Sequence, residues 1–200
     1  MAETPSTMLE LGTTLPYFRL PDVEGGMVAD TDHEDAAALL VAFICPHCPY
    51  VKHIREEFVK FASEYRPRGL AIVAINSNDA KAFPDDDIVA MRKEAAGAGY
   101  TFPYLCDDTQ QVAKTFRAAC TPDFFLFDRH RRLVYRGQFD SSRPKMPGMV
   151  TGADLRAAAD AVLAGRSVPA TQYPSIGCNI KWKPGNAPDY FGAEADTARV

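Results

Sequence analysis

The chain has no apolar run approaching the ~20 residues needed to cross a bilayer, which excludes a spanning segment. It also lacks an excess of basic charge. Its 22 Lys and Arg are outnumbered by 26 Asp and Glu, for a net charge of -4, so no broad basic surface is available to grip nucleic acid. Residues 1–11 contain no basic segment followed by an apolar stretch, so no secretory signal is read and a cytoplasmic location is expected. No internal repeat or low-complexity tract is present. Cysteine is sparse, five in all. In a reducing compartment such cysteines are catalytic or free rather than a disulfide framework, and an odd number leaves at least one without an intramolecular partner. What remains is 46% hydrophobic and 24% charged, an ordinary balance for a chain with a real core. Two hundred residues suit one domain with insertions, read here as residues 1–165 with an extension, 166–200, packed on the same domain.

The most informative stretch is Leu40–His53. A short apolar run, Leu39 to Ile44, predicts a buried strand, and it ends at Cys45-Pro46-His47-Cys48. From Tyr50 to Tyr65, Val51, Ile54, Phe58, Phe61 and Ala62 recur at helical spacing. Two cysteines therefore stand where a strand gives way to the first turn of a helix, whose unpaired N–H groups and dipole favour an anion. A thiolate there has a lowered pKa and is the reactive form. Cys45, at the exposed end of the turn, is read as the nucleophile and Cys48 as the resolving thiol, with His47 adding positive charge when protonated. A zinc reading needs four ligands; Cys106, Cys120 and Cys178 are scattered, and His47 and His53 crowd the dithiol itself. Copper(I) on Cys45, Cys48, His47 and His53 is a further alternative, since thiolates select it.

The rest of the chain supplies a frame. Met1–Leu11 reads as poorly ordered, Tyr17–Leu20 as a short strand, and Gly25-Gly26 as a hairpin turn. Leu70–Ile75 is an apolar run suited to a central parallel strand, which completes a βαβ unit with the Cys-bearing helix. Asp85-Asp86-Asp87 precedes Ile88–Ala98 and reads as an acidic helix start, since it lacks the alternating ligands of a calcium loop. Phe102–Cys106 is extended, Asp107–Thr109 caps a helix over Gln110–Arg117, and Phe124–Asp128 with Leu133–Arg136 forms a hairpin. Ala153–Leu163 is an alanine-rich amphipathic helix ended by Gly165, and Arg166–Val200 is an extended tail.

Cys-Pro-His-Cys at a strand-to-helix junction, together with Thr121-Pro122 immediately before a strand and hairpin, resembles the thioredoxin-like superfamily. The resemblance narrows to the redoxin branch, the peroxiredoxin-like or alkyl hydroperoxide reductase/thiol-specific antioxidant group. It is carried by Phe43–Pro49, Ala74–Asn78, Cys120–Asp128, Tyr135–Gly137 and Pro174–Lys183, and it runs from about Leu15 to Phe191. It implies an α/β thioredoxin-like fold, a central mixed sheet flanked by helices with an N-terminal hairpin and a C-terminal extension. It also implies that Thr121-Pro122 is a cis bond facing the dithiol, presenting the Thr121 backbone to an extended peptide or a mixed disulfide.

The departures from that group carry information. Peroxiredoxins have P-x-x-x-T-x-x-C, with the peroxidatic cysteine at the position of Cys48; here Cys45 replaces the Thr and Val41 the Pro. Thioredoxin's buried acid would fall near Leu39 and is missing. Pro-His between the cysteines is the dipeptide of strongly oxidising disulfide oxidases, where the His stabilises the reduced form and raises the potential. Arg136 stands where redoxins bring a basic residue toward the reactive sulfur, or is a solvated hairpin residue. Cys120 and Cys178 each read as a further redox thiol or a buried core residue, and Cys106 as core.

The expected function is thiol–disulfide oxidoreductase, with Cys45, Cys48, Pro46, His47, Thr121 and Pro122 as site residues and no cofactor or metal. Expected partners are a protein or small-molecule disulfide and a thioredoxin or glutathione system as electron donor, with no nucleic acid and no membrane, on a monomer or homodimer. Peroxide reduction by the same pair and a copper- or zinc-binding redoxin are the alternatives.

Overall fold

The computed structural model describes residues 3–146 and 148–191. Strand β4, Ala38–Phe43, is buried at every position, which is why its sequence is continuously apolar rather than alternating. Such a strand must be covered on both faces. It pairs in parallel with Leu70–Asn76 (β5), which pairs in parallel with Tyr104–Cys106 (β6). On its other side β4 pairs antiparallel with Asp123–Phe127 (β8), and β8 with Leu133–Gly137 (β9). The five-stranded sheet therefore runs β6-β5-β4-β8-β9 and is mixed. Before it, Arg19–Pro21 (β2) and Met27–Ala29 (β3) form the N-terminal hairpin.

The two faces of β4 build two cores. Ala38, Leu40, Ala42 and Ile44 pack with Val51, Ile54, Phe58, Phe61 and Ala62 of α1, Pro49–Tyr65, and with α2, Ile88–Ala98, and α4, Ala153–Leu163. Leu39, Val41 and Phe43 pack on the opposite side with Phe116, Phe125, Phe127, Phe18 and Ile180, beside the short helix α3, Gln111–Thr115. Full burial of each large aliphatic or aromatic side chain among them contributes about 1.5–3 kcal/mol, so β4 is the axis around which the molecule closes. This is the thioredoxin-like α/β fold, a central mixed sheet flanked by helices.

Two expectations need correction, and a third gains detail. The segment Met1–Leu11 is not without structure where it is described: Glu3–Pro5 forms β1, paired antiparallel with Ile176–Asn179 (β10) of the tail. Its partner lies some 170 residues away, so no local pattern announces it. The helix expected over Gln110–Arg117 shrinks to five residues because Gln110 and Arg117 are left-handed, with φ of 63° and 51°. Gln110 uses its amide instead to tie Ser77 and Lys181, donating to both carbonyls at 2.7 and 2.9 Å. The extended tail is held by pairing as well as by packing. β10 joins Cys120–Thr121 (β7), Ile180 N–H donates to the Ala119 carbonyl, and Asp79 N–H donates to the Lys181 carbonyl. The part of the tail at 192–200 lies outside the described residues.

Candidate active site

The carboxyl end of β4 delivers Cys45 to the site and α1 begins four residues later. Pro49 occupies the first helical turn, where its missing N–H costs nothing, and Cys48 is the N-cap. The Thr121–Pro122 peptide bond is cis and lies between β7 and β8. Because β8 is the antiparallel neighbour of β4, with Asp123 opposite Phe43, the sheet itself sets Thr121 against the two thiols. Cys45 Sγ lies 3.4 Å from Thr121 Oγ1, and the Cys48 thiol donates to the Thr121 carbonyl at 3.1 Å.

Cys45 is not at an exposed end of the turn, as the sequence suggested. Both thiols are fully buried, because the residue before the helix is drawn under the Thr121 loop. All five cysteines are unpaired. Cys48 is the thiol held low. The Cys178 thiol interacts with it most strongly, Cys45 next, and the Thr121 hydroxyl and Val51 N–H add to both; burial opposes them and loses. Cys45 is pushed well up, by its interaction with Cys48 first, then by burial and by the charge of Asp86. Ionised, Cys48 is thus an acceptor at a helix N-terminus with protonated thiols beside it.

Asp86 is the residue the sequence concealed. It was expected only as part of an acidic helix start, and of that triplet Asp87 alone is the N-cap of α2, accepting from Ala90 N–H at 2.8 Å. Asp86 is buried one residue earlier, in the short 3-10 turn Pro84–Asp86. Its carboxylate accepts from His47 N–H at 3.2 Å and from Asn78 at 2.8 Å, and meets His47 Nδ1 at 2.5 Å. His47 Nδ1 lies 4.0 Å from Cys45 Sγ. The Cys45 thiol, a His47 ring nitrogen and an Asp86 oxygen lie within 4.8 Å of one another, but the carboxylate is already committed to hydrogen bonds that position His47. A buried carboxylate with such partners orients an imidazole, much as outer partners orient metal-bound or catalytic histidines.

Other residues considered from sequence go elsewhere. His53 bonds Ser142 Oγ at 3.0 Å and is not part of the group that Cys45, His47 and Asp86 form. Arg136 lies opposite Phe125 on β9 and so faces the second core, across the sheet from the thiols; it donates to Leu9 O and Gln172 Oε1. Cys120 is buried and donates to the Pro122 carbonyl at 3.6 Å. Cys178 stands opposite Thr121 in the β7–β10 register. An open cleft beside the turn is lined by Pro46, His47, Lys52, Arg55, Asp85 and Lys93.

A model of the AhpC/TSA family matches residues 11–136, well over half of the sequence. The chain belongs to the AhpC/TSA family. Among relatives of this AhpC/TSA chain, a crystal structure of a hypothetical protein from Sinorhizobium meliloti 1021 is 56% identical, with a TM-score of 0.90, and covers 91% of this chain and 100% of that one. One of an uncharacterized conserved protein from Geobacillus kaustophilus is 52% identical, also at 0.90, over 92% and 98%. The thiol-disulfide oxidoreductase ResA of Geobacillus thermodenitrificans (strain NG80-2) is 26% identical over 132 residues, 65% of this chain and 70% of that protein. The AhpC/TSA match ends at Arg136, so β10 and Cys178 lie beyond it.

Proposed function

We propose that this protein is a thiol–disulfide oxidoreductase that works through the Cys45–Cys48 pair. The observation that carries the reading is the meeting of two thiols at the N-cap of α1 against the Thr121 hydroxyl and carbonyl. Cys48, the thiol held low, attacks a substrate disulfide; one substrate sulfur leaves as a thiol, and a mixed disulfide forms at Cys48 beside Thr121-Pro122. Cys45 then attacks the Cys48 sulfur, forms the Cys45–Cys48 bond and releases the second substrate thiol. This reverses the order of roles expected from sequence, for a physical reason: interaction with Cys48 first, then burial and the Asp86 charge keep Cys45 protonated, whereas the Cys178 thiol, the Cys45 thiol, the Thr121 hydroxyl and the Val51 N–H favour the Cys48 thiolate. His47, when protonated, places positive charge beside the dithiol, which favours its thiolate and so the reduced form. Pro46 holds the turn that carries His47 to the cleft. A thioredoxin or glutathione system returns the pair to the dithiol. The relation to a relative named as a thiol-disulfide oxidoreductase supports the same reading.

The test is the reduction potential of the Cys45–Cys48 disulfide in glutathione buffers, with Cys48→Ser as control. A reversible disulfide is expected between the ~−270 mV of a reductant and the ~−120 mV of a strong oxidant, displaced toward the oxidising end by His47. If no reversible disulfide forms between these residues, the reading fails.

A further inference from the structure

Outside the dithiol, one strand and the thiol it carries lie against the site and form no disulfide in the mechanism above. β10 is paired with the cis loop itself, Cys178 opposite Thr121 and Asn179 opposite Cys120. The fit is close enough to demand glycine before the cysteine: a Cβ on Gly177 would stand 2.0 Å from the Thr121 carbonyl oxygen. Cys178 is 2% exposed and belongs to the same buried cluster as Cys45 and Cys48. The strand is fixed at its far edge by β1, whose Glu3 accepts from the Tyr50 hydroxyl at the start of α1. The backbone edge beside the dithiol is thus occupied by the chain's own tail, and a cysteine of that tail stands opposite the residue whose carbonyl holds the Cys48 thiol.

We propose that Cys178 is a third redox thiol of this site, and that β10 is the chain's built-in substrate strand. The inference rests on Cys45 and Cys48 acting as a redox pair. Starting from the Cys45–Cys48 disulfide, the Cys178 thiolate attacks the Cys48 sulfur. The Cys48–Cys178 bond forms, the Cys45–Cys48 bond breaks, and Cys45 leaves as a thiolate that takes up the proton Cys178 gave away. One disulfide is exchanged for another, so no outside oxidant or reductant enters the step. The order of events has a physical cause. While Cys48 is ionised, its interaction with Cys178 holds the latter's proton firmly in place; oxidation of Cys48 removes that charge and frees Cys178 to ionise. A second consequence concerns substrate. With β10 in place, Thr121 has no free edge for an extended polypeptide, so the external disulfide that loads the site is a small molecule.

Sequence makes the test direct. Trypsin leaves Cys45 and Cys48 together in Leu20–Lys52 and Cys178 in Ser167–Lys181, so the two disulfides differ as an intrapeptide loss of two hydrogens and an interpeptide cross-link. The full chain is equilibrated across glutathione buffers, acid-quenched, alkylated and digested without reduction. Wild type is expected to show both species. Cys45→Ser, and Cys45→Ala should the serine variant not fold, are expected to move the majority of oxidised molecules into the cross-link. Cys178→Ser is expected to abolish the cross-link and keep the intrapeptide disulfide. Absence of any cross-link to Ser167–Lys181 in wild type and in the Cys45 variants, with the intrapeptide disulfide reversible in Cys178→Ser, overturns the inference and leaves the dithiol standing. Absence of the intrapeptide disulfide in Cys178→Ser overturns the dithiol reading itself.

Discussion

Asp123 follows the cis bond directly and is completely buried, with neither carboxyl oxygen in hydrogen-bonding geometry with a partner. The N–H groups of Ala119 and Phe124 lie near enough to offset its burial only in part, and its pKa is pushed well above the ordinary carboxylate range. A carboxyl with a raised folded pKa binds more protons folded than unfolded. Its contribution is therefore complete below the unfolded value of about 3.9 and is lost as pH rises toward the folded value, at up to about 1.4 kcal/mol per pH unit. Asp123→Asn removes that loss. The unfolding free energy of the variant relative to wild type is expected to rise steadily between pH 5 and 7 in urea titrations; a difference that stays constant over that range would mean that Asp123 is ionised in the folded protein. The acid itself was visible in Thr-Pro-Asp-Phe-Phe, but its burial was not, because a single acid before an apolar strand is usually a turn residue. Cys45, His47 and Cys48 were legible because Cys-Pro-His-Cys stands at a strand-to-helix junction, and Thr121 and Pro122 through the family resemblance that this motif carries. Asp86 was not, since an acidic triplet ahead of a helix already has a complete local explanation in the N-cap, and only tertiary packing separates Asp86 from Asp87.

At the level of elements, the long periodic segments and the local hairpins were readable, and the short strands paired across long stretches of chain were not. α1, α2 and α4 follow from apolar spacing, and β4 and β5 from unbroken aliphatic runs. β1, β7 and β10 have three, two and four residues; strands so short are defined by their partners, which no local window contains. β10 nevertheless governs the site, and Gly177 is where it is most exposed to change. Its Cβ clash is with backbone, which cannot rotate aside. Gly177→Ala is therefore expected to lift β10 from β7 and to lower stability by about 1–3 kcal/mol, while Cys48 becomes faster to alkylate with iodoacetamide because its cover is loosened. Alkylation followed by peptide mapping reads the second effect. An unchanged rate at Cys48 alongside lowered stability would show that β10 does not limit access to the thiol.

For the molecule as a whole, the question is whether the tail melts with the domain. The family match stops at residue 136, yet the tail beyond it is threaded into both cores. Cys178 enters the first cluster and Ile180 the second, with Trp182 packed against it. Lys181 and Lys183 backbone N–H groups donate to Asn78 and Gln110, and β1 closes over β10 from the opposite terminus. A segment whose polar backbone is satisfied only by the rest of the domain has no stable state of its own. Trp182 is the chain's single tryptophan, so its fluorescence reports the tail alone, whereas far-UV circular dichroism reports the helices α1, α2 and α4. Urea unfolding followed by the two signals is expected to give coincident midpoints and slopes, one cooperative transition for core and tail. A fluorescence transition at clearly lower urea would mean that the tail detaches first, and Cys178 would then leave Cys48 before the fold is lost. Coincidence instead ties the third thiol to the integrity of the whole sheet, so that the covered state of the dithiol persists for as long as the protein is folded.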